Sequence, residues 1–285
     1  MILDVAAGRR ITEAELVAGV QAAPIVLVGE IHDNPDHHRL EARLLQSFAT
    51  THPAPAVVFE MLDRGQQPTI DASLAAHPAD ADALARAVAW DSSGWPPWSM
   101  YRPVFEAALG AHAPILAAGI DRRDAMRIAH DRAAAFDPAL VHPFGLDAPL
   151  PPDDQAAVRR EMNEVHCGLL PESMLDTMVL VQRSRDALMA ERLHEGTAGG
   201  RGALLVAGAG HVRRDRGVPV QLARAYAARA LAIGLVPVRD ADTVPESYVA
   251  GFDATGLPFD FVWFTPRTDD VDHCAEMRAH IGEKR

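Results

Sequence analysis

The sequence predicts an α/β fold: a mainly parallel sheet covered by helices, with an α-helical insertion between the third and fourth strands. Three observations predict it. Six short apolar runs of strand length punctuate the chain, longer helical patterns alternate with them, and one strandless, helix-patterned stretch occupies residues 122–200. Near-continuous apolar runs suit strands buried on both faces, and the strand–helix–strand rhythm requires parallel pairing through crossovers. The organisation expected is one α/β domain over 1–285, with 122–200 inserted into it.

The runs lie at 25–29, 56–60, 114–119, 203–207, 230–236 and 259–264, most of them bounded by Gly or Pro. After the first, Asn34 is a good N-cap and Pro35 suits the first helical position. Leu40, Leu44, Leu45 and Phe48 follow at helical spacing. The Ala-rich stretch 72–89 favours helix. In the insertion, a Pro-rich break from His142-Pro143 to Pro152 precedes helices near 153–165 and 171–193. Met162, Met174, Met178 and Met189 read as filler between those helices.

Composition limits the function. The 285 residues carry 27 Lys+Arg against 39 Asp+Glu, a formal charge of −12, which argues against a nucleic-acid partner needing a clustered basic face. No stretch of about 18 apolar residues exists to span a membrane, and the first twenty residues lack an export signal. As written the chain reads as cytoplasmic, and as exported or membrane-anchored if a leader was removed. Cys167 and Cys274 are too few and too far apart for a disulfide framework or a Cys-rich zinc site.

In an open parallel sheet, ligands bind beyond the carboxyl ends of the strands. Those ends read Gly29-Glu30-Ile31-His32, Phe59-Glu60, Gly119-Ile120-Asp121-Arg122 and Gly208-Ala209-Gly210-His211. Glu30, His32, Glu60 and His211 therefore form the candidate catalytic set, with His32 and His211 as candidate metal ligands. His37 and His38 follow the helix cap and are expected on a solvated face, turned away from the strand end. The segment WDSSGWPPWSMY at 90–101 holds three of four tryptophans, as core cover or as the wall of a flat apolar pocket. Tyr101-Arg102 follows it, and Arg213, Arg214 and Arg216 sit just after His211, where guanidinium groups could meet an anionic ligand. There is no G-x-S-x-G elbow, P-loop or H-E-x-x-H, and the glycines at 208–213 lack the third of a dinucleotide fingerprint.

Six segments, taken in order, carry a family resemblance: GEIHDNPDHH (29–38), VVFEML (57–62), WPPWSMYRPVFEAAL (95–109), HCGLLP (166–171), VQRSRDALMAERL (181–193) and GAGHVRRDRGVP (208–219). Together they resemble the ChaN-like haem-binding proteins, within the superfamily of Tiki peptidases, TraB-type proteins and erythromycin esterases. The paired Gly-x-x-His motifs, Gly29–His32 and Gly208–His211, are its most specific feature. The resemblance covers about 24–265 and implies an α/β core with a helical insertion. For the ChaN-like branch it implies non-covalent haem binding in iron uptake, at a homodimer interface. For the enzymatic branches it implies hydrolysis at Glu30, His32, Glu60 and His211. From the insertion it adds His166, Gln182, Arg185 and Asp186, the last three on one helix face.

The leading expectation is thus a haem-binding protein whose pocket lies near 90–101. Its axial ligand is sought among Tyr101, His166, His211, Tyr226 and Tyr248, and its propionate partners among Arg102, Arg213, Arg214 and Arg216. The alternative is a hydrolase, peptidase or esterase, in which Glu30 or Glu60 is the general base and His32 with His211 polarises substrate or holds a divalent metal ion.

Overall fold

The structure is a computed structural model describing residues 1–136, 138–239 and 244–268 together with Cys274, Ala275 and Arg278. Its strands are β1 (Ile2–Asp4), β2 (Arg9–Ile11), β3 (Ile25–Glu30), β4 (Ala56–Asp63), β5 (Ile115–Gly119), β6 (Ala203–Gly208), β7 (Leu231–Pro237) and β8 (Phe261–Thr265). They form one sheet in the order β2-β1-β8-β7-β3-β6-β4-β5. The pairs β3/β6, β3/β7, β4/β6, β4/β5 and β7/β8 are parallel, while β1 runs antiparallel to both β2 and β8. All six expected runs are strands. The β1/β2 hairpin is additional, so the helical stretch falls between the fifth and sixth strands rather than the third and fourth.

Two compact units result. One comprises Met1–Asp121 and Arg185–Pro266; the other comprises Arg122–Ser184 and Arg267–Arg285. The first holds the whole sheet. Its central strands β3 and β6 are buried at every residue, as parallel strands covered on both faces must be. Phe48, Phe59, Tyr101 and Phe105 fill the space beside the sheet, with the Phe59 and Phe105 rings stacked at 4.2 Å. Each such side chain, fully buried, contributes roughly 1.5–3 kcal/mol. The second unit is helical among its described residues. Helix Pro152–Val165 and the first turns of Glu172–Gly196 enclose a small core of Val158, Met162, Leu175 and Val179. No helix among the described residues is long and apolar enough to cross a membrane.

Two local features aim side chains at the carboxyl end of the sheet. Asn34 accepts a hydrogen bond from the Asp36 amide at 3.0 Å and caps helix Pro35–Ala49, fixing where that helix starts relative to β3. In β4 the pairing with β5 slips between Phe59 and Asp63, and this bulge contains Glu60. Bulges re-aim side chains beside functional sites, at the cost of local ladder bonds.

Candidate functional site

The paired Gly-x-x-His motifs are complementary in space. A Cβ on Gly29 would stand 2.9 Å from the Cα of Ala209, inside the short helix Ala209–Val212 that carries His211. A Cβ on Gly208 would stand 3.0 Å from His32 Nε2. Each motif's glycine therefore makes room for the other motif, and Glu30 and Gly208 lie opposite one another in the β3/β6 ladder. This close approach is what the spacing specifies.

Around that contact the polar side chains form two braced imidazoles. Glu30 Oε1 accepts hydrogen bonds from His32 Nδ1 at 2.8 Å and from the Tyr101 hydroxyl at 2.7 Å. Asp186 Oδ1 takes His211 Nδ1 at 2.6 Å. Fixing Nδ1 in each ring directs the Nε2 atoms toward Glu60, whose Oε2 lies 4.0 Å from His32 and whose Oε1 lies 3.2 Å from His211. Glu60 Oε2 also accepts the Gly208 amide at 2.8 Å. Of this set His32 is the member open to solvent, with 35% of its side chain accessible and its ring edge-on to Trp95 at 4.8 Å.

Behind it lies a buried group that includes His37 and His38, the two residues expected in solvent. His37 and His38 are both fully buried, which corrects the expectation of a solvated face. His37 Nδ1 accepts the Ile31 amide at 2.9 Å, so its Nε2–H donates to Thr265 Oγ1 at 3.0 Å. His38 donates from Nε2 to the His32 carbonyl at 3.0 Å, and its Nδ1 lies 3.0 Å from Glu41 Oε2 and 2.7 Å from Glu30 Oε2. The Glu41 contact is the better aligned; Glu30 Oε2 lies close but outside hydrogen-bond alignment. Among the described residues, Glu30, His38 and Glu41 are the compact group of metal-type donors, their ligand atoms within 4.8 Å of one another. The signal for this burial was present in the sequence. Stepping back from Phe48 through Leu45, Leu44 and Glu41 by threes and fours leads to His38 and His37, all on the buried stripe.

Electrostatics follow from these contacts. Burial pushes the Glu30 carboxyl up, but the His32 hydrogen bond and the nearby charges of His38 and His32 outweigh it and hold it at about 2. Burial would discharge His38, yet Glu30 and Glu41 raise it to about 10. Glu41 is raised well above the carboxylate range, by burial and then by the Glu30 charge. Within the inner group the shifts therefore run in different directions, Glu30 toward its carboxylate, His38 toward its imidazolium and Glu41 toward its protonated form. In the outer group, burial opposes but Glu60 and Asp186 raise His211 to about 10. Charge and hydrogen bonding from His211 hold Glu60 below its ordinary range despite burial, which dominates at Asp186 and raises it.

The remaining expected site residues fall elsewhere. Tyr101 is wholly inaccessible, and burial together with the Glu30 charge raises its pKa far above the ordinary value. Trp90 is core and bonds the Pro96 carbonyl, Trp98 bonds Asp82, and Trp95 alone of the three touches His32. Arg102 pairs with Asp82 and Glu106. Arg213 is buried in a two-pronged bond to Asp215, Arg214 pairs with Asp260, and Arg216 reaches Asp215 and two backbone carbonyls. Those guanidinium groups hold their own loops together. Arg185 is partly exposed and its charge favours ionised Asp186. Tyr248 is buried, and Tyr226 stacks on His194 at 3.8 Å.

His166 and Gln182 belong to the second unit. His166 caps the C-terminus of helix Pro152–Val165 and is partly exposed, with Nδ1–H donating to the Met162 carbonyl at 2.7 Å. Exposed apolar side chains stand next to it in the turn, Val165 (58%) and Leu169 (36%), and Met174 (44%) is exposed in the helix that follows. A surface cavity of about 570 Å³ in the same unit is lined by Asn163, Arg160, Arg159, Ala156 and Leu175 among others. Asn163 and Arg159 precede His166 by three and seven residues, so they lie along its side of the helix. The two cysteines expected to be too far apart for a disulfide framework are joined in one bond, with Cα atoms 5.4 Å apart. Their separation of 107 residues is closed by the fold, which spacing does not reveal.

Comparison with known proteins finds relatives of the fold. Among solved structures, ChaN of Campylobacter jejuni, described with cofacial haem binding, aligns with a TM-score of 0.70 at 19% identity, covering 92% of this chain and 94% of that one. The type III effector HopBA1 aligns at 0.49 with 11% identity, over 89% and 92% of the two chains. An erythromycin esterase, EreC, in its open conformation aligns at 0.49 with 14% identity, over 99% and 87%. Among curated proteins none matches. The model of the family described as haem-binding uptake, Tiki superfamily, ChaN matches residues 16–222. With that match running from within the first helix, Glu13–Ala22, past the second Gly-x-x-His motif, the chain belongs to the ChaN haem-binding uptake family of the Tiki superfamily.

Proposed function

We propose that this protein binds haem non-covalently, in iron or haem handling, with His166 as the axial ligand. Family membership supports the ligand class, and the Campylobacter protein's cofacial haem binding supports it further. The observation that carries the residue choice is the His166 hydrogen bond. With Nδ1–H committed to the Met162 carbonyl, Nε2 keeps the lone pair that iron requires, the usual posture of a metal-binding histidine. Exposed Val165 and Leu169 supply apolar contact for a porphyrin face, and Arg159 and Arg160 lie on the same helix for its propionates, Arg159 being shared with Glu172 and Asp176. The other expected ligands fit less well. Tyr101 and Tyr248 are buried, and both His211 nitrogens face carboxylates. Cofacial stacking in a homodimer is the natural arrangement for one such surface site per chain.

Titration of haemin into the purified protein tests this. A saturable Soret shift at micromolar haemin is expected, weakened at least tenfold in His166→Ala. No shift in the wild type overturns haem binding, and an unchanged affinity in the variant overturns the ligand.

A second reading, hydrolysis at the sheet end, is favoured by one observation: two imidazoles, each braced at Nδ1 by a carboxylate, face a shared glutamate. Glu60 there is a candidate general base, with His32 and His211 polarising substrate or holding a divalent ion. Metal analysis and an esterase and peptidase screen on wild type and His211→Ala check it; equal turnover in both counts against catalysis.

A further inference from the structure

The turn that carries His166 has an unusual residue in its most demanding position. Helix Pro152–Val165 ends with the Gly168 amide donating to the Asn163 carbonyl at 2.7 Å and the Cys167 amide to Glu164 at 2.8 Å. This is the Schellman arrangement, whose residue after the cap adopts a left-handed backbone and is usually Gly, sometimes Asn. Here it is Cys167, at φ +58°, followed by Gly168 at +69°. A side-chain-bearing residue is disfavoured there by sterics. Glycine would satisfy the turn better, so the sulfur is what this position uses. It bonds to Cys274, the only other cysteine in the chain.

We propose that the Cys167–Cys274 disulfide is a redox latch on the haem site, a regulation that rests on the haem reading of His166. Closed, it clamps the turn that fixes His166 and Leu169 to a second point of the chain; Leu169 itself bonds the His166 carbonyl at 3.0 Å. Open, that turn is held by its backbone bonds alone, with a strained residue at its centre. Closure requires a disulfide-exchange partner, a protein or small-molecule disulfide. Two thiols of this chain become one disulfide and the partner's disulfide becomes two thiols; the two electrons pass to the partner's sulfurs, which take up the two protons that this chain's thiols lose, with no net proton release. Haem would then be held under oxidising conditions and released where dithiols are abundant.

The test uses the full chain with its disulfide formed, alongside Cys274→Ser and Cys167→Gly. Thiol titration of denatured wild type is expected to find no free thiol, and two after reduction. Both variants are expected to bind haemin at least fivefold more weakly than the oxidised wild type, with a faster off-rate. Cys167→Gly is decisive, because glycine relieves the turn while removing the latch. Variants binding as tightly as wild type, or two free thiols in protein equilibrated with oxidised glutathione, overturn the latch and leave the haem reading standing. A wild type that gives no Soret shift overturns the haem reading itself, and the latch with it.

Discussion

The sheet end and the His166 turn use the same side chain in opposite ways. At the sheet end, His38 and His211 each have both ring nitrogens occupied by carboxylates or a carbonyl, and their charge is consumed by buried partners. At the turn, one nitrogen of His166 is tied to the backbone while the ring remains partly exposed among apolar side chains. Imidazole is structural where it is surrounded and available where a single bond fixes its tautomer. His32 stands between these cases, braced on Nδ1 and one-third exposed.

Substitutions separate the two regions, and the largest effect belongs to the sheet end. Glu30→Ala leaves a buried imidazolium at His38 and removes the acceptor of His32 and Tyr101, so a loss of about 3–5 kcal/mol in urea unfolding is expected. A next effect is spread over pH. His38, raised from 6.5 to about 10 in the fold, stabilises fully below pH 6.5 and loses that contribution as pH rises through about 10. Burial lowers His37 from 6.5 to about 4, so its neutral packing is lost as pH falls from 6.5 toward 4. Melting temperature should therefore decline on both flanks, with the acid limb flattened in His37→Asn. An unchanged acid limb there would remove His37 from this account.

Gly29→Ala drives a methyl into the Ala209 backbone and should cost about 1–3 kcal/mol, measured the same way. Trp95→Ala, which strips the aromatic edge from His32, should cost about 0.5–1.5 kcal/mol. The smallest effect on stability should be His166→Ala, within about 0.5 kcal/mol, even as haemin affinity falls. A stability loss there comparable to that of Glu30→Ala would erase the distinction between the regions.

The parallel strands were legible because burial on both faces writes unbroken apolar runs, as in 25–29 and 203–207. The β1/β2 hairpin was not: three residues per strand at a sheet edge, with Arg9 and Arg10 exposed, leave no run to read. Glu30, His32, Glu60 and His211 were found from their place at strand ends, and they do meet. His38 and Glu41 were missed because a charged residue in the first two turns of a helix normally faces water. Only the sheet end beneath those turns reverses the expectation. The Arg213–Arg216 cluster was legible as charge but not as function, since Asp215 and Asp260 that neutralise it come from ordinary loop sequence.

The β1/β2 hairpin at one edge of the sheet bears on how the molecule is made. Leu3 pairs with Val262, and Phe264 donates its amide to the Met1 carbonyl, so β1 is held by β8, the last of the described strands. A two-stranded hairpin is marginal alone. At roughly 5–20 residues per second of synthesis, β1 and β2 wait on the order of 10–50 s for β8 to emerge from the ribosome. Strands made early are thus among the last to take their places, and this edge of the sheet is completed only after β8 has been made.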